Sequence, residues 1–202
     1  MDGVKRTRLS PEERRAQLIG LGVRMLADRP LEQISVEDIA DQAGVSAGLL
    51  FHYFASKHDF HLAIVRYTSA EMLAHTAPNP DLEPLEIVRD AMASYVDYVS
   101  ENRGTYLPLL RGTTSSDPDM REVCEETRAE MVRRVVEHLP SLGIEPTART
   151  ELSVRGWIAF VEEATISWLR RPQISRDDLI DLQVSALTAV TLGVEAAAVL
   201  PG

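Results

Sequence analysis

The side chains in this sequence best suited to chemistry sit close together: Ser35, Ser46, His52, Tyr53 and Lys57. They supply hydroxyls, an imidazole and an ammonium. Such groups hold anions and bond to the edges of bases through charge and hydrogen bonds. Nothing around them completes a bond-making site. The chain carries no HExxH, P-loop or GxGxxG pattern and no identifiable Ser-His-Asp constellation. Its one cysteine, Cys124, has no His partner that the sequence identifies, and a single cysteine excludes an internal disulfide and a Cys-based zinc site. His58 and His61 stand three apart without a clear third ligand, so no metal site is expected. The chain is read as a binding protein, not an enzyme, with no cofactor.

Two short helices must position these groups. Ser35 can cap the first, with Asp38 completing a capping box. Val36, Ile39 and Ala40 share one face of it. Gly44 supplies the left-handed residue that ends it, and Ser46 caps the second helix, about Ala47 to Tyr53. Ser56 with Asp59 then opens another helix. Two short helices crossed through a glycine turn form the helix-turn-helix layout, whose second helix enters the DNA major groove. A helical hairpin inside an all-α core is the alternative. Against it, the second helix is too short to add much core, and it carries His52 and Tyr53 where a core helix would carry Leu. Lys57 falls in the first turn of the next helix, where the macrodipole disfavours a cation unless an anion is near. A DNA phosphate would be that anion.

The run DIADQAGVSAGLLFHYFASKHDF resembles the signature of the tetracycline-repressor (TetR) family of transcriptional regulators. The resemblance covers about residues 10–65 and implies a DNA-binding regulator. It places Ser35, Ser46, Ala47, Gly48, Leu49, Phe51, His52, Tyr53 and Lys57 at DNA-facing positions. Lys57 and the Tyr53 hydroxyl would hold phosphates, and His52 is the best candidate for a base-edge contact. Ala47 and Gly48 would allow close approach, with Ala47 against a thymine methyl. Leu49 stands where the family usually has Thr or Ser, and Phe51 where it usually has Tyr, so two phosphate hydrogen bonds are in doubt.

A net charge of −10 argues against DNA until it is mapped. Residues 1–57 hold eight Lys/Arg and eight Asp/Glu; residues 58–202 hold 13 and 23. The acidity therefore lies outside the motif, and local potential decides phosphate binding. Residues 1–9, with Lys5, Arg6 and Arg8, form either a flexible basic arm that reaches the DNA or a solvated tail. No signal peptide is read at the N-terminus, and the longest uncharged run near the end, Leu182 to Val194, is too short to span a membrane. A cytoplasmic protein without a membrane partner is expected.

The whole chain reads as all-α, about nine helices. The expected division is a three-helix DNA-binding domain, 1–56, joined by a long helix from Lys57 to about Thr76 to a larger domain, 57–202. Ser10-Pro11-Glu12-Glu13 starts the first helix, which runs to about Ala27; its Gly20 and Gly22 suggest close approach of the motif helices. In the larger domain, Met92, Tyr95, Tyr106, Leu110, Cys124, Met131, Trp157, Phe160 and Val161 come from several helices and are candidate liners of a small-molecule pocket. Each is equally suited to ordinary core. Arg103 and Glu163 are candidate polar anchors. The family usually senses a small molecule here, and this apolar lining would suit a lipophilic or aromatic effector.

The last two helices, from Thr147 to about Leu169 and from Ser175 to about Val199, are apolar on most sides. They are either a central core pair or a homodimer interface built as a four-helix bundle. The resemblance implies the second, through Val154, Ile158, Thr165, Leu179, Leu182, Ala186, Leu187, Val190 and Val194. A two-fold axis would also let two recognition helices read a palindromic operator. The expected function is a ligand-released repressor; the alternative is a helical interaction module without DNA binding.

Overall fold

Local signals start most of the helices. Ser10 Oγ accepts the Glu13 amide at 3.1 Å and the Glu13 carboxylate accepts the Ser10 amide at 2.7 Å, closing a capping box. In the computed structural model, which describes residues 9–111 and 117–192 (the side chains at 108–111 excepted), this cap opens α1, Pro11–Met25. A 3₁₀ turn, Leu31–Gln33, leads to α2 (Val36–Ala43) and α3 (Ala47–Tyr53). Then follow α4 (Lys57–His75), α5 (Pro84–Glu101), α6 (Arg103–Arg111), α7 (Pro118–His138), α8 (Ala148–Arg170) and α9 (Arg176–Leu192). The described residues thus form nine α-helices and no strand, an all-α fold. Among them no helix is long and apolar enough to cross a membrane.

Two compact units emerge, and they do not divide at residue 57. The first holds the described residues up to Thr68 together with those of Gly104–Met120; the second holds Ser69–Arg103 and the described residues from Arg121 on. α4 therefore contributes to both. The reason lies in backbone contact that the sequence pattern does not carry. A Cβ on Gly104 would sit 2.8 Å from the Ala27 carbonyl oxygen, so glycine is what lets the start of α6 lie against the end of α1.

In the first unit, Leu18, Ile34, Ile39, Leu50, Phe60 and Ile64 are fully buried. Gly22 is needed for close approach, but to α4 and not to the motif helices: an added Cβ would lie 2.4 Å from Ile64 Cδ1. At Gly20 it would meet only the Arg24 guanidinium, at 3.6 Å, so no contact requires glycine there. In the second unit α9 packs on α5 and α8. Trp157 Nε1 donates to the Gln183 carbonyl at 2.7 Å, and Gln183 Nε2 to Thr165 Oγ1 at 2.8 Å, both within the core. Arg128 on α7 bonds the Glu162 carboxylate on α8, and Arg176 on α9 grips Asp97 on α5 with two bonds of 2.6 Å.

Candidate nucleic-acid interface and apolar cavity

α2 and α3 are fixed to one another by the turn the sequence predicts. Gly44 has φ 64°, in the left-handed region. Ser46 Oγ accepts the Leu49 amide at 3.3 Å, capping α3. Ser35 Oγ likewise accepts the Asp38 amide at 3.0 Å. The second half of the expected Ser35 capping box is absent, because the Asp38 carboxylate instead pairs with Arg29 at 3.1 Å. That ion pair ties the segment after α1 to α2.

Of the seven residues of α3, only Leu50 is buried. Gly48, Phe51 and His52 are exposed, and Ala47, Leu49 and Tyr53 are half-exposed. Phe51 keeps 49% of its surface in solvent. A Cβ at Gly48 would meet only Ser46 Oγ, at 3.9 Å, so nothing inside the protein requires glycine there. His52 and Tyr53 meet edge to face, ring centroids 5.3 Å apart. Lys57 is exposed, and its ammonium donates to the Glu32 carbonyl at 2.9 Å. This backbone contact aims the side chain while leaving two of its three N–H donors for an outside anion. Ser35 is half-exposed and Ser46 exposed. Lys5, Arg6 and Arg8 of the expected arm lie outside the described residues.

His58, one residue beyond Lys57, has partners that no local pattern reveals. Its Nε2 lies 2.9 Å from Asp119 and its Nδ1 3.5 Å from Asp117. A carboxylate at each ring nitrogen suits an imidazolium. The Asp119 hydrogen bond, with the Asp117 and Asp119 charges behind it, raises His58 above its ordinary value. His61, three residues on, is the opposite case. It is buried, its Nε2 bonds the Ile34 carbonyl at 3.0 Å, and burial holds its pKa down. The Nε2–H tautomer follows, since a carbonyl only accepts.

In the second unit a cavity of about 70 Å³ lies among α5, α7 and α8. Of the nine candidate liners, Met92, Tyr95, Met131, Trp157 and Val161 lie on its wall. The other four predicted liners do not. Phe160 is 38% exposed, Cys124 is half-buried off the wall with its thiol pushed up by burial, Tyr106 belongs to the first unit, and the Leu110 side chain lies outside the described residues. Arg103 and Glu163 do not line it either. Ile158, expected at a dimer interface, is 5% exposed and faces the cavity. Arg134 and His138 are liners that sequence reading missed; with Met131 and Val135 they form the i, i+3, i+4, i+7 set on one side of α7. The Arg134 guanidinium is held by Glu130 at 2.9 Å and by the Leu73 carbonyl at 2.7 Å.

The expected dimer set divides in the same way. Val154, Ile158, Thr165, Leu179 and Leu187 are buried inside the protomer, and the Thr165 hydroxyl is taken by Gln183. Residues so covered have no surface left for a partner. Leu182 and Val190 are 47% and 42% exposed, Ala186 is half-exposed, and Val194 lies outside the described residues. On α8 the exposed large apolar positions are instead Leu152 and Phe160, with Gly156 between them.

A capped two-helix motif joined by a left-handed glycine, its second helix contributing almost nothing to the core, is that of a helix-turn-helix protein. Comparison with known families agrees over both parts of the chain. Residues 18–64 match the model described as bacterial regulatory proteins, tetR family, and residues 84–190 match the tetracyclin repressor-like C-terminal domain. The chain belongs to the TetR family of bacterial transcriptional regulators. It is 29% identical, over 157 residues, to an HTH-type transcriptional regulator of Mycobacterium tuberculosis that is itself uncharacterised. That match covers 73% of this chain and 64% of the relative, so the chain spans about two-thirds of the relative's length. The HTH-type transcriptional repressor KstR2 of Mycolicibacterium smegmatis is 43% identical over 56 residues, 28% of this chain and 27% of the repressor. Among solved structures, a tetR-family regulator from Streptomyces coelicolor superposes with a TM-score of 0.81 at 28% identity, over 94% of this chain and 85% of that one.

Proposed function

We infer that this chain represses transcription by holding a palindromic operator as a homodimer, and that a small apolar effector releases it. The exposure of α3 carries the reading: six of its seven residues are left out of the core, including Phe51 and the polar-tipped His52 and Tyr53. A helix that adds so little to folding stability is explained by an outside partner. Lys57, aimed by its bond to Glu32, holds a backbone phosphate, and His52 reads a base edge. Leu49 and Phe51 meet the DNA through apolar contact, thymine methyl groups being the matching surface.

Leu152 and Phe160 on α8, with Leu182, Ala186 and Val190 on α9, are the surface for the second copy. Leu152 and Phe160 stand eight apart, and Leu182, Ala186 and Val190 four apart, so each set lies on one stripe of its helix. The apolar cavity takes the effector. Its present volume admits only a small group, so a larger effector must displace flexible side chains such as Met92 and Met131. α4, with residues in both compact units, is the element through which effector occupancy reaches Lys57 at its start. The effector then acts by preferring the conformation that fits the operator poorly.

Selection from a pool of random-sequence duplexes, using the full chain, tests the reading. The expected product is a two-fold symmetric site, bound by a particle of twice the chain mass in light scattering. Recovery of no preferred duplex would remove the regulator reading and leave the interaction-module alternative.

A further inference from the structure

A second concavity, of about 440 Å³, lies in the first unit next to the recognition helix. α1 contributes Arg15 and Ile19, the end of α3 and its turn contribute Tyr53 to Ala55, and the first turns of α4 complete it as far as Tyr67. Its walls mix charge with apolar surface, unlike those of the cavity in the second unit. Neither the family resemblance nor the DNA-facing positions assigned above account for its α1 wall.

Arg15 is the feature that needs explanation. Its guanidinium carbon lies 5.1 Å from the centroid of the Phe54 ring. Phe54 is 3% exposed and is braced edge to face by Phe60, centroids 4.9 Å apart, so the platform beneath Arg15 is rigid. A guanidinium seated over a ring face keeps N–H donors free for an acceptor such as a phosphate. Arg15 is exposed and makes no ion pair or hydrogen bond with the described residues, whereas its neighbour Arg14 bonds Gln17 and Arg29 pairs with Asp38. Its platform, Phe54, directly follows Tyr53, whose side chain lines the same cleft and whose hydroxyl is an expected phosphate contact. Asp59 is the one carboxylate on the wall and sits on α4; Arg66, also on α4, adds a second cation.

We propose that the Tyr53 end of this cleft seats a DNA backbone phosphate on the Arg15 guanidinium, making Arg15 a second cationic anchor besides Lys57. The proposal rests on the DNA-binding reading. It assigns Arg15 to register and affinity, with no part in sequence choice, because a phosphate looks alike beside every base. The recognition helix is then gripped from both ends of its C-terminal turn: Lys57 through the start of α4, Arg15 through α1.

The test is a salt titration of the full chain on the duplex recovered by selection, comparing wild type with Arg15→Gln, Arg15→Lys, Lys57→Ala, Arg66→Gln and Tyr53→Phe. Arg15→Gln should make the slope of log affinity against log salt shallower by about 0.9, as should Lys57→Ala. Arg15→Lys should restore the slope, since an ammonium also neutralises a phosphate. Tyr53→Phe should weaken every duplex by roughly two- to tenfold at unchanged slope, because it removes a hydroxyl and no charge. A wild-type slope in Arg15→Gln, with Lys57→Ala shallower, overturns the Arg15 seat and leaves the DNA-binding reading standing. A shallower slope in Arg66→Gln alone also overturns it, by moving the phosphate to the far end of the cleft. Wild-type protein that holds no duplex sinks both. Should Arg15→Gln fail to fold, as judged by circular dichroism, Arg15→Met, which keeps an apolar stem over Phe54 and drops the charge, takes its place: a slope shallower by about 0.9 supports the seat and a wild-type slope overturns it.

Discussion

α3 and the α8–α9 pair all carry large apolar side chains, and they behave in opposite ways. In α3 one residue of seven is buried. In α8 the buried set runs from Thr150 to Leu169 and includes Trp157, whose indole N–H is spent on the Gln183 carbonyl. A large apolar side chain on a helix is therefore not a burial signal by itself. What separates the two is length. α8 runs 23 residues and can turn a full apolar face inward over many turns. α3, at seven residues, has one inward position, Leu50, and everything else on it is offered outward.

The largest expected effect comes from exchanging the roles. Trp157→Ala should cost about 3–5 kcal/mol in urea unfolding, from lost packing and a freed carbonyl. His52→Ala should move stability by less than ~0.5 kcal/mol while relaxing the preferred duplex in selection. Comparable losses in both variants would make α3 a core helix and end the contrast. A second exchange concerns the exposed and covered sides of α9. Leu179→Ala should destabilise by about 2–5 kcal/mol, whereas Leu182→Glu should leave the fold intact and halve the particle mass in light scattering. A Leu182→Glu dimer would mean that the partner surface lies elsewhere.

Glycines sharpen the same comparison on a smaller scale. Gly22→Ala should lose about 1–3 kcal/mol, its new methyl colliding with Ile64. Gly20→Ala should gain roughly 0.5–1 kcal/mol from helix propensity alone. Gly48→Ala should not destabilise, for the site is open, yet it should weaken duplex binding by thickening the face that meets DNA. Unchanged affinity in Gly48→Ala would remove the N-terminal turn of α3 from the interface.

The smallest effect is in pH. Hydrogen bonding to Asp119 raises His58, so the folded protein holds that proton more tightly than the unfolded chain. Its contribution is fully present below about pH 6.5 and is lost as pH rises through the raised value. Burial lowers His61, and its contribution has the reverse sense: present above about pH 6.5, lost as pH falls through the lowered value. His58→Asn should flatten the alkaline-side decline in urea midpoints and leave the acid-side decline in place. An unaltered alkaline limb would mean that the Asp117 and Asp119 contacts carry no linkage.

Sequence reading reached furthest where structure is local. Ser10 with Glu13, Gly44, Ser46 and the Pro11 start are one-turn signals, and each occurs where the residues require it. It went astray where a residue has two possible partners. Asp38 was expected to close a box on Ser35 and pairs with Arg29. Gly22 was assigned to the motif helices and opens space for Ile64. The resemblance placed Ile158 and Thr165 at an interface, yet Ile158 lines the cavity and the Thr165 hydroxyl accepts from Gln183.

By itself, the sequence determined the helix list and the capped helix-turn-helix, because these depend on spacings of three and four residues along one chain. Only the tertiary structure decided which apolar stripe of α8 and α9 is core and which is surface, that α6 joins the first unit, and that His58 meets Asp119. It also showed that the Arg15 guanidinium lies over the Phe54 ring. Each of these is a meeting of residues far apart in the chain, chosen by how well whole helix faces pack, and the order of residues along any single helix does not encode that choice.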